Sequence, residues 1–343
     1  MINETLEKVI DGRPVDRVES QAAMAAIMGG ECTPAQIGAF LVALRMRGET
    51  VDQISGFAEA MRESCVRIHT KHPDVVDTCG TGGDALDTFN ISTAAALVAA
   101  AAGVPVAKHG NRSVSSKCGS ADVLTELGVR IDLEPVEVEA CLDEVGIGFL
   151  FAPSHHPAMK HAIGPRRELG LRTVFNVLGP LTNPAGARRQ LLGVFDPALT
   201  ELIAGTLREL GSEHAVVVHG LDGLDELSTL GPTRISELRD GEVRTYEVTP
   251  EQLGLPRAQA SDLEGGEPAQ SARVLLRALS GKAGAPRDIA ALNAAAAIYV
   301  GGKADSIEDG VAIAREAIDS GAALATLDRL REMSRSLAEA RAT

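Results

Sequence analysis

Three stretches of this sequence gather residues suited to holding an anion and a divalent cation. The first, Asp77-Thr78-Cys79-Gly80-Thr81-Gly82-Gly83-Asp84, sets three glycines between two aspartates shortly before Asn90-Ile91-Ser92-Thr93. Glycine lacks a Cβ, so its backbone N–H groups can come close to a phosphate, and a following helix start adds free donors and a favourable dipole. The pattern is neither G-x-x-x-x-G-K-[ST] nor the G-x-G-x-x-G of dinucleotide sites. A tight turn without a ligand is the plainer explanation of the glycines alone. The second stretch, Lys108 to Ser120, packs Lys108, Arg112, Lys117 and four serines into one loop, which suits a second phosphate. The third, His219-Gly220-Leu221-Asp222-Gly223-Leu224-Asp225-Glu226, offers hard carboxylate oxygens to Mg²⁺, although isolated acidic turns of this kind are common on surfaces.

Other candidates are weaker taken singly. Arg166 stands beside Arg167, so it reads equally as one of two solvated helix charges. His109 and the pair His155-His156 match no zinc spacing. Cys79 and Cys118 adjoin the loops, but free cysteine behaves most often as a small hydrophobe rather than a nucleophile.

The elements that position these residues fall into two textures. Through the first seventy residues apolar side chains recur at helical spacing, in Ile37, Phe40, Leu41 and Leu44 and again in Ile54, Phe57, Ala58 and Met61. Thr33-Pro34 and the Thr50/Gln53 pair have the form of helix N-caps. From Asp74 short strands (Val75-Val76, Val104 to Ala107, Ile147 to Phe151, Ala215 to His219) alternate with helical segments, the pattern of a parallel sheet covered by helices. The loops above each follow a strand, where open α/β sheets bind ligands. A helix is expected over Ala121 to Leu127, and helices again over Asp288 to Leu330 with Gly301-Gly302 between two of them. The stretch from Arg166 through Pro180 to Pro184 breaks the alternation and reads as a hinge or a return to the first unit.

Composition limits the function classes. A formal charge of -14 opposes nucleic acid and anionic lipid as partners, so a phosphate ligand needs local Lys, Arg, backbone N–H or metal. Five cysteines without a C-x-x-C pair argue against a disulfide framework. Met1 to Thr5 has neither the basic start nor the apolar run of a signal peptide, and the stretch Ala94 to Ala107 is broken by Gly103 and Pro105. A cytoplasmic protein without a membrane segment is expected. With little aromatic content and no Trp, the core must be built from Ala, Val, Leu and Ile.

The three loops, with Phe151 to Lys160, Val174 to Pro184, Arg287-Asp288-Ile289 and Leu292-Asn293-Ala294, resemble the anthranilate phosphoribosyltransferase family end to end. The resemblance implies an α/β fold: a small all-helical domain (1–72, with a returning segment at about 167–184) and a large α/β domain (73–166 and 185–343) with a central, mainly parallel sheet. It implies transfer of the phosphoribosyl group from phosphoribosyl diphosphate to the amine of anthranilate, and a homodimer formed through the helical domain. By similarity Gly80, Thr81, Gly83, Asp84, Thr88, Asn90, Ser92, Thr93, Lys108, Asn111 and Ser120 receive phosphoribosyl diphosphate. Gly80, His109, Asn111, His156, Arg166 and Pro180 receive anthranilate, while Ser92, Asp225 and Glu226 hold two Mg²⁺ ions. No general acid or base is implied; Lys108, Asn111 and Arg166 position the transition state. Two other readings share the scaffold: a pyrimidine-nucleoside phosphorylase, and an inactive nucleic-acid-binding relative that the acidic charge disfavours.

Overall fold

A computed structural model of the chain describes residues 2–83, 86–113 and 117–342. Four helices come first: α1 (Ile2–Asp11), α2 (Arg17–Met28), α3 (Pro34–Arg47) and α4 (Val51–Glu63). Then follow β1 (Val76–Asp77), α5 (Ile91–Ala101), β2 (Val106–Gly110), α6 (Ser120–Glu126), α7 (Pro135–Val145) and β3 (Ile147–Phe151). The chain next makes α8 (Ala152–His155), α9 (Lys160–Leu169), α10 (Phe175–Leu178), β4 (Arg189–Gly193), α11 (Leu199–Glu209) and β5 (His214–Gly220). It ends with β6 (Thr233–Arg239), β7 (Glu242–Val248), α12 (Pro268–Leu279), α13 (Ala285–Val300), α14 (Ile307–Asp319) and α15 (Ala322–Ala342). Among the described residues no helix is long and apolar enough to cross a membrane.

Helix starts follow the capping chemistry read from the sequence. The Thr33 and Thr50 hydroxyls accept from the backbone N–H groups of Gln36 and Gln53, and each glutamine amide accepts in return from its threonine's N–H. The seven-stranded sheet runs in the order β3-β2-β1-β4-β5-β6-β7. β1 to β5 are parallel, and β6 and β7 are added antiparallel at one edge. Chain order reverses between β1 and β4, so a crevice opens at the carboxyl ends of these strands.

Successive side chains on a strand point to opposite faces, and here each face has its own apolar cluster. Val216 and Val218 of β5 enter the larger cluster with α5, α13 and α14, whereas Ala215 and Val217 enter the other. That second cluster joins α1 to α4 to α11 and to Val174, Phe175, Val177, Leu178 and Leu181. The helical unit thus shares a core with one face of the sheet. α13 is buried all round, and its alanines let α5 approach closely. At the antiparallel edge Glu237 accepts from Tyr299 (2.7 Å), Tyr246 (2.9 Å) and His214 (3.0 Å), and these donors hold its carboxyl down at about 2 although burial opposes them.

Close packing also sets the contact between α2 and α4. A Cβ on Gly56 would run into the Arg17 carbonyl and stand 2.8 Å from the Gln21 nitrogen, whereas Gly38 in α3 has nothing within 4 Å. Gly56→Ala is expected to cost about 1–3 kcal/mol through overpacking. Gly38→Ala should gain up to about 1 kcal/mol from helix propensity. Thermal midpoints of the two variants, moving in opposite directions, check this.

Candidate active site

The loop that follows β1 begins at a buried carboxylate. Asp77 Oδ1 accepts from the N–H groups of Cys79 (3.0 Å) and His109 (3.1 Å), and Oδ2 accepts from Asn183 Nδ2 (2.7 Å). Burial pushes its carboxyl up to about 6, with the amide, the Lys108 ammonium and the two N–H groups pulling the other way. The loop then lies against the end of β4: Thr81 N–H donates to Gly193 O (2.8 Å), and Phe195 N–H donates to Thr81 Oγ1 (3.1 Å). A Cβ on Gly80 would sit 3.0 Å from Gly193 O and 3.4 Å from Asp225 Oδ2, so the glycine loop and the acidic loop share a wall. Gly83, at φ +86°, takes a backbone conformation natural to glycine, and its carbonyl accepts from Arg172. Asp84 lies outside the described residues.

Lys108 is not on a loop, because β2 continues to Gly110. Its buried ammonium donates to Thr78 O (3.2 Å), Thr78 Oγ1 (3.3 Å) and Ser92 Oγ (3.3 Å), which occupies its three N–H bonds behind the start of α5. The other two cations of that stretch are neutralised by carboxylates: Arg112 pairs with Asp122 (2.8 Å) and Lys117 with Asp87 (2.8 Å). The stretch is therefore less cationic toward a ligand than its composition implies. Asn111, exposed, holds the Arg112 N–H, and its carbonyl accepts from Ser120 Oγ (3.3 Å) at the start of α6. Asn90 is committed to protein: its Oδ1 accepts from Ser271 (2.7 Å), and its Nδ2 donates to Cys118 O (3.1 Å). Thr93 carries a buried hydroxyl without a partner, and Thr88 bridges to Glu264.

In the acidic loop the three aspartate and glutamate positions divide their work. Asp222 shapes the turn, accepting from Ser228 Oγ (2.6 Å) and from the Leu224 N–H (3.2 Å). Asn293 of α13 clamps the loop from below, exchanging hydrogen bonds with the backbone of Leu227. Asp225 is left buried beside the glycine loop. Burial raises its pKa, while the Gly82 N–H, His219 and Arg172 act against that rise. Glu226, half-buried, follows it.

The stretch from α9 to Asn183 adjoins the glycine loop and β2, through Arg172 at Gly83, Asn183 at Asp77 and Ala107, and Gly179 at His109. Arg166 is half-buried with its guanidinium 5.0 Å from the Phe175 ring centre, and burial draws its pKa down. Among the described residues it has no carboxylate or hydrogen-bond partner, although arginine remains charged in proteins. His109 Nδ1 is bonded to Gly179 O (3.1 Å), beside Pro180. Its ring lies 5.2 Å from that of His156. Burial depresses His109 to about 3 and His156 to about 4, so both are neutral, and each has a buried Nε2 without a partner. Two imidazole nitrogens without partners are open to a ligand, although the described residues bury other unpartnered atoms too, among them Ser20 Oγ of α2 and Ser55 Oγ of α4. Sequence reasoning assigned no separate role to Asp77, Asn183 or Asn293 within the motifs it marked, nor to Arg172, because most of their partners lie far along the chain.

Fold and site together define a two-domain glycosyl transferase. Residues 3–65 match the family described as "Glycosyl transferase family, helical bundle domain", and residues 72–324 match "Glycosyl transferase family, a/b domain". A protein of Moorella thermoacetica, 56% identical over 96% of this chain and 97% of its own, is an anthranilate phosphoribosyltransferase. The crystal structure of anthranilate phosphoribosyltransferase from Thermus thermophilus superimposes with a TM-score of 0.91 at 45% identity, over 96% of this chain and 99% of that one. The enzyme from Saccharomyces cerevisiae in complex with PRPP and Mg superimposes with a TM-score of 0.88 at 28% identity, over 98% of each chain. The present chain belongs to the anthranilate phosphoribosyltransferase family.

The two histidines give the site a pH signature. An unfolded histidine takes a proton near pH 6.5, but His156 in the folded chain does not until about pH 4. Stability is therefore present above pH 6.5 and is lost as pH falls toward 4, by at most about 1.4 kcal/mol per pH unit for this group. The thermal midpoint of His156→Gln should fall less between pH 7 and pH 5 than that of the parent.

Proposed function

We propose that this chain transfers the 5-phosphoribosyl group of phosphoribosyl diphosphate to the amino group of anthranilate in tryptophan biosynthesis. The products are N-(5-phosphoribosyl)anthranilate and diphosphate. One observation carries the reading: among the described residues Arg166 is a half-buried guanidinium without a carboxylate or hydrogen-bond partner, six residues before Arg172, which reaches the glycine loop at Gly83. An arginine fork matches a carboxylate in bidentate fashion, and a pyrimidine nucleoside offers no such pair of oxygens.

In this reading Gly80, Thr81, Gly83 and Asp84 receive the diphosphate. Thr88, Asn90, Ser92 and Thr93 form the adjoining helix start, and Lys108, Asn111 and Ser120 complete the phosphoribosyl site. Lys108 acts from behind, since its ammonium props Thr78 and Ser92. Anthranilate lies against Gly80, His109, Asn111, His156 and Pro180 with its carboxylate on Arg166. The donor set at Asp225 fits Mg²⁺, being a buried hard carboxylate beside the glycine loop, with Glu226 and Ser92 as further oxygens for two ions per subunit. Bound there, Mg²⁺ supplies positive charge to the leaving diphosphate.

The C1–O bond to diphosphate breaks, a C1–N bond forms, and the nitrogen gives up one proton to the released diphosphate or to solvent. An aromatic amine is already neutral near pH 7, so no strong base is required. Orientation and placed charge do the work: Arg166 fixes the acid, Asn111 orients the amine, and glycine-loop N–H groups meet the charge on the departing oxygens. Domain boundaries at 72/73, with a return at about 167–184, belong to the same reading and are supported by the burial of Val174 to Leu181 among helices α1 to α4. A cytoplasmic homodimer completes it. Exposed Ile10, Val18 and Met46 on the helical unit support a partner there.

Anthranilate fluorescence should decay on mixing with phosphoribosyl diphosphate and Mg²⁺, and EDTA should abolish the decay. Arg166→Ala should raise the anthranilate KM about 10- to 150-fold, the value of a charge-assisted hydrogen bond of about 1.5–3 kcal/mol, with the KM for phosphoribosyl diphosphate little changed. A folded, metal-supplied protein without turnover would overturn the reading.

A further inference from the structure

Several contacts of the glycine loop come from the sheet strands and the loops at their ends: Asp77 holds Cys79, Gly193 holds Thr81, Thr81 holds Phe195, and the Gly82 N–H meets Asp225. Another comes from the returning segment. Arg172, in the turn between α9 and α10, donates from Nη2 to Gly83 O. Its guanidinium lies 4.4 Å from the Phe195 ring centre, stacked on the residue whose N–H holds Thr81. The same charge acts on buried Asp225. The backbone of Arg172 is tied in turn to the helical unit, because its carbonyl accepts from Arg45 of α3. Two residues on, Val174 enters the helical-side core.

We propose that Arg172 is a positioning residue for the diphosphate half of the reaction: it holds the glycine loop in its ligand-receiving shape and couples that shape to the helical unit. This rests on the function proposed above. Three features carry it. The hydrogen bond is charge-assisted, so it is stronger than a neutral one. The Phe195 face keeps an otherwise exposed guanidinium in register by a cation–π contact. In a chain of charge -14, a cation placed beside Asp225 offsets repulsion where a diphosphate would sit.

The test is the affinity of the full chain for phosphoribosyl diphosphate with Mg²⁺, by calorimetry, beside steady-state KM values for both substrates, in Arg172→Gln, Arg172→Lys and Phe195→Leu. Arg172→Gln should weaken phosphoribosyl diphosphate binding and raise its KM by about tenfold while the anthranilate KM stays within about twofold. Arg172→Lys should recover part of the loss, and Phe195→Leu should show a smaller loss with the same split. A purely structural arginine would lower the thermal midpoint and scale kcat without that split, and a folded Arg172→Gln that binds as the parent does would overturn the proposal. Should Arg172→Gln fail to fold, an unchanged affinity in Phe195→Leu overturns it equally. A parent chain that binds phosphoribosyl diphosphate but leaves anthranilate untouched defeats the acceptor assignment alone, whereas a parent chain that does not bind it defeats both.

Discussion

A carboxylate with no exposed surface sits at the end of the first strand, and the rest of the site is arranged around its need for partners. Burying a charge is costly unless donors surround it. Asp77 obtains them from three places: Cys79 near the head of the glycine loop, the strand that carries His109, and the amide of Asn183 at the end of the returning segment. The Asn183 amide donates further to Ala107 O (2.8 Å), so one side chain joins the returning segment to both strands. These bonds set the glycine loop, the imidazole wall and the segment carrying Arg166 and Arg172 in fixed relation.

From that junction the two halves of the crevice take opposite electrostatic characters. On one side are backbone N–H groups, an ammonium already consumed by hydroxyls and a carbonyl, and a buried acid. On the other are neutral rings and one guanidinium that has no carboxylate partner among the described residues. A protein interior tolerates such unpaired groups rarely, and they concentrate where a ligand completes them. The cations that composition advertises most, Arg112 and Lys117, are spent on local carboxylates.

Much of the architecture is legible because local rules agree with it. Capping threonines mark α3 and α4, helical periodicity marks their buried faces, and apolar runs mark β2, β3 and β5. Two classes of element escape. Arg189-Gln190-Leu191-Leu192-Gly193 is a central strand whose two leading polar residues break the apolar run, Arg189 donating to Val300 O at the end of α13 and Gln190 to Pro180 O. β6 and β7 form a hairpin across Asp240-Gly241, both at positive φ, a local turn signal that the reading of the sequence passed over, and β6 joins it to β5 at the sheet edge. The apolar run that stops at Ala107 puts Lys108 on a loop, yet the sheet carries the strand three residues farther.

Sequence alone determined which residues stand next to which along the chain: glycines between aspartates, an acidic pair after a strand, caps before helices, and an end-to-end resemblance that named the chemistry. Only the tertiary structure decided which of the charged groups are still free to meet a ligand. Lys108 is consumed by Thr78 and Ser92, Asp222 by Ser228, and Asn90 by Ser271 and Cys118, while Arg166 has no carboxylate partner among the described residues. The physical reason is that hydrogen bonding and desolvation are settled by neighbours brought together across as many as 181 positions of sequence, as in the Asn90–Ser271 pair. No local pattern records those neighbours.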